Sequence, residues 1–159
     1  MEIIRLIRDL EYLTPDEFRI FALQLTDYRK YEAVKRQILS FREEKERHKG
    51  QYKKFIDNVV NQEISRIYAE EIKTGHIATR ESKTSDVKSF ISKKKRNMRD
   101  YADACFRCFR FTEMFASDGR SIRIAQDKIQ EIDYILETVP REPVYIDDVT
   151  MFKKYLFDP

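Results

Sequence analysis

Apolar positions recur with a helical period along most of this chain. Residues 2–12 place five aliphatic side chains on one broad face, which predicts a short amphipathic helix. The same period runs through residues 28–41 and 52–72 and predicts two longer helices, the second of about five turns. Between them, residues 42–50 are polar on all sides and end in glycine, which predicts a solvated helix end or an exposed connection.

A second helix has a clear start signal in the sequence. Thr14 is a suitable N-cap, and Pro15 suits the first helical position because its missing N–H has no partner there. Asp16 and Glu17 follow near the positive end of the helix dipole. We therefore expect a helix to begin at Pro15.

The pattern changes in the last third of the chain. Thr84 or Ser85 can cap a helix through residue 98, after which the chain either continues as a helix or makes a tight turn before residues 101–111. Residues 112–124 then alternate around Asp118-Gly119, which predicts a hairpin, and residues 127–139 return to the helical period. Helix, hairpin, helix is the order of a winged helix-turn-helix.

These elements predict a mostly α fold, a helical bundle with a winged-helix-like subdomain that carries one short β-hairpin. The low content of three glycines and four prolines agrees with a helical chain. We expect residues 1–139 to form this unit and residues 140–159, which contain three of the prolines, to begin a linker.

Charge is distributed unevenly. Residues 80–110 hold ten Lys or Arg against four Asp or Glu, whereas residues 125–159 hold four against eight. A basic central segment predicts a polyanionic partner for one face. The first helix is interrupted by Arg5, Arg8 and Asp9, and no later stretch resembles a membrane span, so we expect a cytoplasmic protein without a membrane partner.

Cys105 and Cys108 match a C-x-x-C motif. A redox pair of this kind normally opens a helix, where the dipole lowers the thiol pKa, but these cysteines lie inside a predicted helix. A zinc site needs two further ligands, and the histidines, His48 and His76, are far away in sequence. We therefore predict buried thiols on the apolar arc of the helix, which also includes Tyr101, and no bound metal.

The opposite side of the same helix carries a row of charged residues. Their spacing of three, four, four and three aligns them on one face: Arg96, Arg99, Asp103, Arg107 and Arg110. Four guanidinium groups in line beside a wing suit phosphate contact and insertion into a major groove. The alternative is a solvated face in which Asp103 pairs with Arg99 or Arg107.

The excess of base over acid and the adjacent turn favour DNA. The predicted DNA-contacting residues comprise the basic start of the row, the row itself and the wing: Lys93, Lys94, Lys95, Arg96, Asn97, Arg99, Asp103, Arg107, Arg110, Ser117, Asp118, Gly119, Arg120 and Arg123.

Three stretches carry a family resemblance: LTPDEFRIFALQL, ILSFREEKERHKGQYKK and RNMRDYADACFRCFRFTEMF, in this order. They resemble the AlwI group of type IIS restriction endonucleases and related strand-nicking enzymes. The family's core segment is typically R-N-x-R-D-x-A-D-A, followed by arginines and T-G-L-F. This chain departs from it at Glu113-Met114, where the family has Gly-Leu.

The resemblance implies a FokI-like modular plan, with helical recognition subdomains, a linker and a separate Mg²⁺-dependent nuclease domain. It implies that this chain is a monomeric recognition fragment with no catalytic residues and no cofactor of its own. Its partners would be double-stranded DNA and the rest of the enzyme, including an N-terminal recognition subdomain.

Two alternative functions stay open. The chain could be a scaffold that docks the nuclease domain without touching DNA. It could also be a small nuclease built on Asp16, Glu43 and Lys45, although the P-D and E-x-K elements lie in helical segments that nothing in the sequence brings together.

Overall fold

The computed structural model describes residues 1–25, 27–74 and 84–141, with side chains in the last range from Val87 onward. Six α-helices and one hairpin make up these ranges: α1 Glu2–Leu10, α2 Pro15–Ile20, α3 Tyr31–Arg47, α4 Tyr52–Lys73, α5 Thr84–Phe111, β1 Phe115–Ser117, β2 Ile122–Ile124 and α6 Ile129–Thr138. The predicted mostly α class with one short hairpin is confirmed.

The start of α2 follows its sequence signal. The Thr14 hydroxyl accepts a hydrogen bond from the Glu17 N–H at 3.3 Å, and the Glu17 carboxylate accepts one from the Thr14 N–H at 2.9 Å. This capping box, with Pro15 in the first turn, satisfies backbone donors that a helix start otherwise leaves unpaired. The predicted start of α2 is therefore confirmed.

The helix α5 is one continuous element of 28 residues. The structure thus decides between the two alternatives that the sequence left open near residue 100, because the chain continues without a turn. α5 packs mainly on α2 and also on α4 and β1. Residues 75–83, between α4 and α5, lie outside the described residues, as do the side chains of Thr84 and Ser85, so the capping of α5 stays a prediction.

The predicted hairpin is confirmed, with β1 and β2 antiparallel and Phe115 paired with Ile124. A residue from the N-terminal part of the chain also pairs with this hairpin. Leu13 exchanges two backbone hydrogen bonds with Ile122, at 2.9 and 2.8 Å, and so forms a one-residue bridge on the free edge of β2. This pairing ties the segment between α1 and α2 to the hairpin.

One cluster of buried side chains runs through all the helices and the hairpin. Phe18 of α2 lies near its middle, fully buried, with its ring 5.2 Å from that of Phe106 and 6.1 Å from that of Phe109. The Phe109 ring in turn lies 4.7 Å from that of Phe115. Edge-on ring contacts therefore connect α2, α5 and β1, which fixes the end of α5 against the hairpin.

Two expectations about the apolar arc of α5 are wrong. Cys108 is exposed and Tyr101 keeps 65% of its surface accessible, whereas Ala102 and Phe106 of the same helix are buried. The physical reason is that α2, α4 and β1 cover only part of the arc, which leaves Tyr101 and Cys108 accessible to solvent. The linker predicted for residues 140–159 lies outside the described residues beyond Arg141.

The described ranges contain no helix with both the length and the apolar character required to cross a membrane.

Candidate nucleic-acid interface

The charged row of α5 lies on the surface. Arg96, Arg99, Asp103, Arg107 and Arg110 are all exposed, while the helix buries Met98, Ala102 and Phe106 on its other side. Because α5 is unbroken, the stretch from Arg96 to Arg110 spans about 21 Å along the helix axis. We call these five residues the arginine row.

The arginine row has few internal ion pairs. Within the described residues its one salt bridge joins Arg99 to Asp100, with 3.8 Å between Nε and Oδ1. Asp103 forms no salt bridge with Arg99 or Arg107 there, although the solvated-face interpretation requires one. The guanidinium groups of Arg107 and Arg110 also have no hydrogen-bond or ion-pair partner among these residues. Such cations are available to an anionic partner.

The basic residues before the row point in different directions. Lys93 is exposed, whereas Lys94 is half-buried and donates to the Glu71 carboxylate of α4 at 3.1 Å. Lys95 and Asn97 are also half-buried. Lys94 is therefore engaged within the protein, and a contact between it and DNA stays a prediction.

The hairpin turn is organised by one carboxylate. Asp118 Oδ1 accepts hydrogen bonds from the backbone N–H groups of Arg120 at 2.9 Å and Ser121 at 2.8 Å. These bonds lower the pKa of the Asp118 carboxyl group. Gly119 adopts a φ of 80°, which glycine accepts without strain. The turn is thus held by its own residues.

The two hairpin arginines have different surroundings. Arg120 is exposed, and Arg123 donates to Asp118 Oδ2 at 3.2 Å. Arg123 also lines a cleft of about 540 Å³ formed by α1, β2 and the start of α6, together with Tyr12 and Gln126. No residue of α5 from Val87 onward lines this cleft. The contacts of the described residues therefore do not join the hairpin arginines to the arginine row, and Ser117 is half-buried beside them.

A further cation, not anticipated from the sequence, lies beside the row. Arg19 of α2 lines a cleft of about 370 Å³ together with Lys95, Arg96 and Arg99 of α5. The only sequence signal for Arg19 is its position one helical turn after Asp16, with which it pairs at 2.8 Å. Nothing in that spacing indicates which part of α5 it meets.

The two cysteines differ in environment. Cys105 is half-buried, and burial followed by the nearby Cys108 raises the pKa of its thiol. Both thiols are free, and no cluster of three or more metal-ligating side chains occurs in the described residues. A raised thiol pKa is the opposite of what a redox nucleophile requires.

The carboxylate of Asp16, one element of the alternative nuclease site, is occupied by protein contacts. It accepts from the Arg19 guanidinium and from the Tyr52 hydroxyl. The Lys45 ammonium lies over the Tyr52 ring, 4.9 Å from its centre. Asp16 therefore acts as a structural link between α2 and the start of α4.

The match to a family model decides the wider identity, since the model of the AlwI restriction endonuclease covers residues 1–156. The chain belongs to the AlwI restriction endonuclease family. No curated protein matches its sequence. Membership gives this AlwI-family chain a role in a restriction endonuclease and makes DNA its expected polyanion. The resemblance drawn from the three sequence stretches is thereby confirmed at the level of the family.

Proposed function

We propose that this AlwI-family chain is the DNA-recognition part of a type IIS restriction or nicking endonuclease, and that the arginine row of α5 faces the duplex. The main support is that exposed guanidinium groups line one face of an unbroken helix. Two of these groups, those of Arg107 and Arg110, have no hydrogen-bond or ion-pair partner among the described residues. Free cations in a line match the regular negative charge of a DNA backbone.

The order of elements supports a winged-helix arrangement. Helix α1, the Leu13 bridge, α2, α5 and the hairpin follow one another as in winged helix-turn-helix domains, with α3 and α4 inserted between α2 and α5. In such domains the second helix of the motif enters the major groove, and here that helix is α5. Its C-terminal end lies against β1, so the wing would contact DNA next to Arg107 and Arg110.

Cleavage belongs, in this proposal, to another part of the enzyme. We propose that cleavage takes place in a separate Mg²⁺-dependent nuclease domain, that residues 140–159 begin the linker to it, and that this chain is monomeric and cytoplasmic. The chain would then supply DNA affinity and specificity but no catalytic group and no cofactor.

A double substitution tests the proposal. Arg107→Ala/Arg110→Ala in the full-length enzyme should weaken binding to duplex DNA, measured by fluorescence anisotropy at several salt concentrations. The matched control is Arg36→Ala/Arg47→Ala, which removes the same charge from exposed positions of α3. Equal affinity, equal specificity and equal salt dependence in the two double variants would exclude the arginine row from the interface.

The single variants separate two kinds of contact. If Arg107 or Arg110 reaches a base edge, its replacement by Ala should cost about 1 to 3 kcal/mol and relax specificity at one position. If it contacts only phosphate, affinity should fall equally for all sequences, and the slope of log K against log salt should fall by about one. A variant with unchanged DNA binding but weakened association with the nuclease domain would instead support a docking scaffold.

A further inference from the structure

The cleft between α2, α4 and α5 combines an unusual number of cations with few anions. Its lining contains Arg19 of α2 and, from α5, Lys95, Arg96 and Arg99. The single carboxylate in the lining is that of Asp57 on α4, which forms no salt bridge in the described part of the chain. Arg19 pairs with Asp16 and Arg99 with Asp100, whereas Lys95 and Arg96 have no ion-pair partner among the described residues. With those carboxylates counted, four cations still face three anions, and the cleft keeps a net positive charge.

Arg19 provides a second, independent observation. Its guanidinium pairs with Asp16 at 2.8 Å, yet its Nε is buried and has no hydrogen-bond partner in the described residues. A buried N–H without an acceptor is costly, and most such groups in folded proteins have a partner. The pair with Asp16 therefore leaves part of the hydrogen-bonding capacity of Arg19 unused.

The shape and the donors of the cleft indicate the class of anion. A volume of about 370 Å³, open to solvent, is large enough to admit a phosphate group. Arginine forks match phosphate oxygens, and Ser92 adds a hydroxyl donor to the lining. Ser92 and Arg96 also line a second depression with Ser89 and Lys93, so the donors continue along α5.

We propose that this cleft holds one phosphate of the DNA backbone and that Arg19 is a DNA-contacting residue. The helices α2 and α5 then contact the same DNA strand, the one that the arginine row contacts. This inference rests on the proposed function, because it takes DNA as the ligand of α5. A phosphate held between two helices fixes the position and the angle of α5 on the duplex, and so determines which bases the row can reach.

The first experiment replaces Arg19. Arg19→Gln in the full-length enzyme should lower affinity for all duplex sequences alike and reduce the salt slope by about one. Arg36→Gln removes one exposed charge from α3 and should leave the slope unchanged. Asp16→Asn breaks the ion pair to Arg19 but keeps its cation, and it should also keep the slope. Identical DNA binding in Arg19→Gln and Arg36→Gln would overturn the proposal.

The second arm locates the phosphate. Single neutral methylphosphonate linkages are placed in turn along both strands of a bound duplex. One position should weaken binding by the wild-type enzyme and have no effect on Arg19→Gln, because the charge pair is already lost in that variant. The proposal is wrong if every linkage affects the two proteins equally.

The third arm separates a DNA phosphate from a free one. Inorganic phosphate, titrated at constant ionic strength, would bind the wild-type enzyme and not Arg19→Gln if the cleft were a free-phosphate site. That result, together with an unchanged DNA salt slope, would overturn the assignment to DNA.

One further variant, together with the arginine-row double variant, keeps the outcomes distinct. Should Arg19→Gln fail to fold, as judged by circular dichroism, Lys95→Gln tests the same cleft from a residue that is not part of the arginine row. If Arg107→Ala/Arg110→Ala alters DNA binding and the cleft variants do not, this inference fails while the proposed function stands. If none of these variants alters DNA binding, both fail.

Discussion

The carboxylate of Glu17 and the guanidinium of Arg42 form a bidentate pair that joins α2 to α3. The two contacts measure 2.8 and 3.2 Å, and Glu17 retains 1% of its accessible surface. The same guanidinium donates to the carbonyl oxygens of Leu10 at 3.3 Å and Tyr12 at 2.7 Å. Arg42 therefore binds the connection between α1 and α2, the segment that also pairs with the hairpin through Leu13.

We predict that Arg42→Ala destabilises the protein by about 3 to 5 kcal/mol, because it leaves the buried Glu17 carboxylate without its counter-ion. Urea denaturation followed by circular dichroism measures this. Arg47→Ala, at an exposed position of the same helix, is the control and should change stability by less than about 0.5 kcal/mol. A loss of under 1 kcal/mol in Arg42→Ala would contradict the role assigned to the pair.

The turn from α5 into β1 contains a strained residue. Glu113 adopts a φ of 57°, in the left-handed region that costs a non-glycine residue about 1 to 2 kcal/mol. Glu113→Gly should therefore stabilise the protein by about 1 kcal/mol, measured as a rise in denaturation midpoint. Gln37→Gly, in the exposed interior of α3, should instead lower stability by about 0.5 to 1 kcal/mol. The prediction fails if both glycine variants are destabilised alike.

The Asp118 carboxylate gives the hairpin turn a defined pH dependence. Its pKa is lowered from the ordinary value of 3.8, chiefly by the backbone N–H groups of Arg120 and Ser121. Since the folded pKa is below the unfolded one, the stabilisation is complete above about pH 5 and is lost as pH falls through the lower folded value.

A carboxyl-carbon NMR titration of Asp118 should show a midpoint below 3.8, with the amide shifts of Arg120 and Ser121 moving in parallel. In Asp118→Asn the transition of both amides should disappear. A midpoint at or above the ordinary value would show that the carboxylate does not organise the turn.

The two thiols should differ in reactivity. Cys108 is exposed, whereas Cys105 is half-buried and its thiol pKa is raised. Labelling of the native protein with a disulfide reagent near pH 8 should therefore show one fast and one slow thiol. Cys108→Ser should remove the fast phase and Cys105→Ser should leave it. Equal rates would contradict the difference in burial.

The sequence by itself determined the elements of this protein. The helical period located α1, α3, α4 and α6, and the capping residues Thr14 and Pro15 located the start of α2. Asp118-Gly119 located the turn of the hairpin. These features are local, because a cap, a turn or a period depends on residues within a few positions of one another. The alignment of the arginine row on α5 was predictable for the same reason.

Only the tertiary structure decided which elements meet. The pairing of Leu13 with Ile122, the contact of Arg42 with Glu17 and the position of Arg19 beside α5 each join residues far apart in sequence. No periodicity encodes these distances. A helical pattern shows that α5 has an apolar arc, but the width of that arc covered by α2 depends on how the two helices pack. That packing buries Phe106 and leaves Tyr101 and Cys108 exposed.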